Sequence, residues 1–276
     1  MRIVLYGRAL GDYGYPTEMP FLLGSGIERI YKNSKEIQDL EADIAIANFT
    51  RPSWDGEEDW NFGRLPKVKV QLAIQAEHYT EYGEAHAELL TKNFDGSIAY
   101  EGNKTFWGLY SKKPVFYFDP FCLWKQTYTG PIQDFKDYGY ILGGPTEHRD
   151  NLIRNNPMFR YMWGNVNNIE IQDELKKSGI GFNIHKFRGD IKTEYSRLSL
   201  YINFGMAVIS ESLDKTLPDR FKEYMMETTN IENFEIDKEI LREQTKDLEK
   251  ILKEYHDINE EQKILFTEIS KTFGVK

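Results

Sequence analysis

The stretch Gly181 to Ser212, GFNIHKFRGDIKTEYSRLSLYINFGMAVISES, constrains this chain most. Phe182, Ile184 and Phe187 begin a short apolar strand, and Arg188, Gly189 and Asp190 break it. From Ile191 to Phe204 the apolar residues Ile191, Tyr195, Leu198, Tyr201 and Ile202 recur at helical spacing, with Thr193 or Asp190 available as the cap. Gly205 follows where a helix ends in the left-handed conformation, and Met206 to Ser210 reads as a short strand buried on both faces. Strand, helix, glycine and strand in that order predict an α/β fold with parallel strands.

The same order predicts where a ligand binds. A helix N-terminus beside the carboxyl end of a parallel strand is where open α/β sheets hold ligands, and its backbone N–H groups favour phosphate. Arg197 lies one turn into the helix, with Glu194 just before it. An arginine fork there suits a pyrophosphate, while Glu194 or Glu211 can accept hydrogen bonds from ribose hydroxyls. The plainer reading is an ordinary βαβ unit with a surface Arg–Glu pair.

Length and charge bound the rest. The chain has 276 residues, 40% of them apolar, enough for a large core and, by length, for two linked α/β domains. The net charge is −9, and the acidic excess runs through both halves, which weighs against a protein that neutralises many phosphates of duplex DNA. The one cysteine, Cys122, lies in an aromatic run; it cannot form an internal disulfide and fits core packing in a reducing compartment. MRIVLY at the start is too short for a signal peptide and no later run approaches a membrane span, so the expectation is a soluble, cytoplasmic protein with no membrane partner.

Taken in order, Met1 to Tyr6 is a first strand that runs into Gly7, Gly11 and Gly14, a glycine-bearing loop where an α/β domain opens its ligand cleft. Ile27 to Leu40 has helical periodicity, and Ala42 to Asn48 is the next buried strand. Thr50 to Lys67 is a long polar loop whose Arg51, Trp54, Trp60 and Arg64 are candidate acceptor contacts; a surface insertion with partly buried tryptophans is the alternative. Val68 to Ala76 is a strand with Glu77 and His78 at its carboxyl end, placed to take a proton from an acceptor hydroxyl, Glu77 the first choice. A solvated or capping pair is the bland account of those two.

Ser97 to Tyr100 and Pro114 to Phe118 are further strands, and Asp119 to Asp137, punctuated by Pro and Gly, reads as the connection between two halves. The second half opens with a strand, Tyr138 to Leu142, followed by GGPTEHRD. Gly143 and Gly144 allow close backbone approach to a ligand, Thr146 and His148 follow, and Arg149 is a second candidate for a diphosphate. Phe159 to Trp163 is a strand ending at the turn Gly164-Asn165, and Asp173 to Ser178 is a short helix stopped by Gly179. Lys238 to Tyr255 and Glu260 to Phe273 are amphipathic helices.

The string NIH, then E-x-x-R, an apolar turn, Gly and VISE resembles the donor-binding segment of GT-B glycosyltransferases, in which the Arg holds the diphosphate of a nucleotide sugar. The order ADIAIANFT, PVFYFDPF, a strand with a Gly-Gly loop carrying arginines, MWGN and AVIS resembles the DNA glucosyltransferases of T-even bacteriophages over most of the chain. Leu200 stands where many GT-B enzymes carry a ribose-binding Glu, so the ribose contact comes from elsewhere or the donor differs.

The resemblance implies a GT-B fold: two Rossmann-like domains facing an interdomain cleft, an acceptor-side domain over 1–132, a nucleotide-sugar domain over 133–255, and a final helix, 256–276, crossing back to the first. Ile264, Leu265, Ile269 and Phe273 would dock that helix. It implies Glu77 as base, Gly143, Gly144, Arg149 and Arg197 around the diphosphate, and Gly164 and Asn165 near the nucleobase; Gly7 and Thr146 complete the candidate donor set. The implied co-substrate is a UDP-sugar with no required cofactor or metal; the chain has no Asp-x-Asp triplet of the kind that holds metal in the other major glycosyltransferase fold. The implied acceptor is a hydroxymethylated pyrimidine in phage DNA, in the host cytoplasm. The alternatives are a glycan, lipid or protein acceptor, or a nucleotide-binding GT-B protein without turnover.

Overall fold

A parallel strand buried on both faces needs a nearly unbroken apolar run, and IVLYG, EADIAIAN and VKVQLAIQ supply three. In the computed structural model, which describes residues 1–7, 27–31, 41–48, 67–75, 94–100, 111–119, 121–122, 128–162, 169–185, 195–211, 217, 219–255 and 257–276, these runs are strands of one sheet. The chain divides into two compact units, one built from the first six strands with the final helix and the other within Phe121–Asp257. Both are α/β with parallel sheets. No described helix is long and apolar enough to cross a membrane.

The first unit holds β1 (Ile3–Gly7), β2 (Ile27–Tyr31), β3 (Glu41–Asn48), β4 (Lys67–Gln75), β5 (Gly96–Tyr100) and β6 (Val115–Phe118). Their order is β2-β1-β3-β4-β5-β6, every neighbouring pair parallel. Val4, Ile44, Ile46, Leu72, Ile98, Phe116 and Phe118 form its buried apolar centre. The chain leaves β1 for β2 on one side and then returns to β3 on the other, so the carboxyl ends at Gly7 and Asn48 flank a topological switch point.

Residues 27–31 are a strand pairing β1 from Ile27 opposite Ile3 to Tyr31 opposite Gly7, where periodicity predicts a helix. Ile27, Ile30 and Tyr31 fit one helical turn as well as an edge strand, and over five residues the ladder to β1 decides.

The final helix, Ile258–Phe273, belongs to this first unit. Gln262, Leu265, Phe266 and Ile269 are buried at helical spacing, the Phe273 ring lies 5.8 Å from that of Phe116, and Glu261 accepts the Asp119 backbone N–H at 3.3 Å. Ile264 faces outward at 52% exposure, so Phe266 takes the docking role the sequence reading gave it.

The second unit runs β7 (Gly139–Leu142), α1 (Glu147–Asn155), β8 (Phe159–Met162), α2 (Ile169–Ser178), β9 (Ile180–Asn183), α3 (Tyr195–Asn203), β10 (Ala207–Ser210), α4 (Asp219–Tyr224), β11 (Met226–Glu227) and α5 (Lys238–Leu252). The sheet order is β11-β10-β9-β7-β8. The three inner strands are buried at every residue, whereas β8 and β11 at the edges are partly exposed. Ile141, Phe159, Phe182 and Ile209 meet in its core, with the Phe159 and Phe182 rings 4.6 Å apart. Cys122 is buried as well, and its carbonyl accepts from the Asn203 side chain at 3.2 Å.

From Arg197 to Phe204 every residue of α3 and its end is buried, so this helix has no solvent face over that length. It ends in a Schellman motif, Met206 N–H to Tyr201 C=O and Gly205 N–H to Ile202 C=O, with Gly205 at φ 71°. The helix seats against β9 because Gly181 has no side chain: a Cβ there would stand 2.4 Å from the Tyr201 ring. Gly181→Ala is therefore expected to lower stability by about 1–3 kcal/mol or more through overpacking, read as a fall in the urea unfolding midpoint.

Candidate functional site

The second sheet also reverses direction. From β7 the chain goes to β8 on one side, and β9 lies on the other, so the switch point falls between the carboxyl ends of β7 and β9. The register pairs Tyr140 with Gly181. Beyond that pair the Tyr201 hydroxyl sits in the ladder: it accepts from Leu142 N–H at 3.0 Å and donates to the Tyr140 carbonyl at 2.9 Å, with the Phe182 carbonyl at 3.3 Å. Burial pushes this phenol up to about 12, so it stays a neutral donor at ordinary pH. A side chain thus satisfies backbone groups where the ladder between β7 and β9 stops.

Two arginines converge just beyond the ends of those strands. Arg149, on α1, donates from Nε and Nη2 to the Ile184 carbonyl at 3.1 and 2.7 Å and from Nη1 to the Gly144 carbonyl at 2.9 Å. Arg197, on α3, donates from Nη1 to the same Ile184 carbonyl at 3.0 Å and to Asn183 Oδ1 at 3.2 Å. Asn183 is held in turn by its own donation to the Ser210 hydroxyl at 2.8 Å. Gly143, at φ 136°, lies directly beneath both heads: a Cβ there would come within 2.9 Å of Arg149 Nη1 and 3.3 Å of Arg197 Nη2. A residue with a side chain would strain the backbone and push the pair apart.

Both arginines are buried, Arg149 at 3% and Arg197 at 2% exposure, so Arg197 does not form the surface pair that an ordinary βαβ unit would carry. Two guanidinium groups that share one carbonyl acceptor bring two positive charges to a single point. The arrangement can bind the phosphates of a ligand and stabilise negative charge that grows on them.

The third strand end adds a carboxylate. Glu211, directly after β10, lies 2.6 Å through Oε1 from His148 Nε2 and accepts the His185 backbone N–H through Oε2 at 2.8 Å. Both oxygens of this candidate ribose contact are engaged within the protein. Thr146 is the N-cap of α1, its hydroxyl accepting the Arg149 backbone N–H at 3.3 Å, which fixes the start of the helix that carries Arg149. Leu200 is fully buried, so that position belongs to the core of this unit.

The structure therefore brings Gly143, Gly144, Thr146, Arg149, Arg197 and Glu211 to the carboxyl ends of three neighbouring strands of the second unit. Gly7 ends β1 at the switch point of the first unit. Glu77, His78, Arg51, Trp54, Trp60, Arg64, Gly164, Asn165 and Glu194 lie outside the described residues. Sequence reasoning missed Asn183, the Ile184 carbonyl and Tyr201. The signal for Asn183 was available, a polar residue closing the apolar run IGFN; a backbone carbonyl carries none.

No protein-family model matches the chain, and no curated protein matches it. The class that fold and site define is an α/β protein with a buried arginine pair at the switch point of a parallel sheet.

The tyrosines give a pH dependence. Tyr128, Tyr140, Tyr161 and Tyr201 are each raised from 10.0 to about 12, chiefly by burial, so the folded chain keeps protons that the unfolded chain releases. Their contribution is complete below pH 10 and is lost as pH rises from 10 towards about 12. The urea midpoint is expected to fall over that window. Tyr201→Phe should start lower, by about 1–3 kcal/mol for the buried Leu142 N–H left without its acceptor, and show a shallower fall.

Proposed function

We propose that this chain is a GT-B glycosyltransferase that moves a sugar from a UDP-sugar to a hydroxymethylated pyrimidine in DNA. The observation that carries the reading is the convergence of Arg149 and Arg197, from two different helices, on one carbonyl at the switch point of a parallel sheet. A departing diphosphate leaves with a full pair of electrons, and two cations held in place before the reaction stabilise that charge without reorganisation. Two α/β units, with the final helix belonging to the first, also suit the GT-B plan.

In this reading the acceptor hydroxyl oxygen attacks the anomeric carbon while the bond from that carbon to the diphosphate oxygen breaks. Glu77, two residues beyond β4, takes the hydroxyl proton. A pyrimidine in duplex DNA must first be extruded from the stack. The net charge of −9 favours a second reading, the same transfer to a glycan, lipid or protein acceptor.

Mass spectrometry of 5-hydroxymethylcytosine and 5-hydroxymethyluracil duplexes, incubated with the protein and a panel of UDP-sugars, tests the acceptor. A hexose or pentose mass increment is expected with one pair, and no adduct with any pair removes DNA as acceptor. UDP should raise the melting temperature, and absence of any shift removes the nucleotide. Arg197→Ala is expected to weaken UDP binding by roughly tenfold or more, the loss of one charge-assisted contact. Glu77→Ala should spare UDP binding and abolish transfer; unchanged turnover would assign the base elsewhere.

A further inference from the structure

Glu211 holds a backbone peptide as well as a side chain. The peptide group joining Ile184 to His185 is gripped from both sides: its carbonyl accepts from Arg149 and Arg197 at 2.7 to 3.1 Å, and its N–H donates to Glu211 Oε2 at 2.8 Å. The negative end of the peptide dipole faces two cations, and the positive end faces a carboxylate. Bonds in such a chain polarise and strengthen one another. The second carboxylate oxygen, 2.6 Å from His148 Nε2, reaches the residue beside Arg149 at the start of α1. One side chain at the end of β10 therefore fixes the backbone acceptor that aims both guanidinium groups.

Charge alone would argue against such a residue. A carboxylate close to an anion site lowers the potential there and weakens anion binding. Its bonds must therefore outweigh its charge if it serves the site. We infer that Glu211 is a positioning residue for the arginine pair, orienting it towards a pyrophosphate through the Ile184–His185 peptide, and makes no contact with the nucleoside; this rests on the anion-site reading above.

Titration calorimetry of the full chain with two probes, UDP and inorganic pyrophosphate, separates the possibilities. Wild type is expected to bind both. Glu211→Ala should weaken both by a similar factor, on the order of tenfold, although it removes a negative charge. Glu211→Gln, which keeps an acceptor for the His185 N–H and a second polar atom for the His148 ring, should recover most of that loss. Glu211→Asp keeps the charge, withdraws the oxygens by one methylene and preserves the acidic character of the strand end should the alanine variant unfold; it too should weaken both ligands.

Loss of UDP affinity alone, with pyrophosphate binding intact, would make Glu211 a ribose contact and overturn the inference. Tighter pyrophosphate binding by the alanine variant, or unchanged binding by both the alanine and aspartate variants, would reduce it to a neighbouring charge. Failure of wild type to bind either probe would overturn the anion site itself, a result distinct from any produced by the variants.

Discussion

A single carbonyl oxygen, that of Ile184, accepts from two buried guanidinium groups, and the organisation of the second unit follows from making that possible. Their helices are anchored independently of each other. Thr146 caps α1, and a Schellman turn closes α3, which is buried from Arg197 onward. Gly143 leaves room beneath the two heads. The charges are thereby held in a buried setting, where an interaction with an opposite charge is stronger than in water.

The end of the β7–β9 ladder is the complementary constraint, because backbone groups that lose a strand partner need another. Here the Tyr201 hydroxyl takes over bonds that a continued ladder would have made, and Gly181 admits the ring. Tyr201 and Arg197 stand one turn apart on α3, so one helix carries both the residue that ends the ladder and the residue that reaches the Ile184 carbonyl. Glu211 ties the third strand end to the same peptide and to α1. Three strand ends and two helix starts thus share one hydrogen-bonded network, within which a shift of one member alters the others.

Much of the framework was legible. Apolar runs such as IGFN and AVIS are short, bounded by glycine or polar residues and buried at every position, as inner parallel strands require. Gly205 marks a helix end because few residues tolerate positive φ, and the position of Arg197 relative to it follows by helical spacing. Residues 27–31 fit a helical period but form a strand, since five residues satisfy either period and pairing with β1 selects between them. Ile264 was misread as inward-facing for a related reason: a helix with several apolar positions does not announce which stripe its neighbour covers, and here Leu265, Phe266 and Ile269 form it.

The linear chain determined which segments are strands buried on both faces, that two helices of the second unit stop at Gly179 and Gly205, and that arginines at 149 and 197 follow strand ends. Local periodicity and the special backbone of glycine suffice for that, because both are properties of neighbours along the chain. Only the tertiary structure decided that those two arginines, 48 positions apart, meet at one carbonyl, and that Glu211 faces inward to His148 and His185. Strand order sets which ends lie side by side, and strand order is fixed by packing between distant segments, where no spacing in the sequence records it.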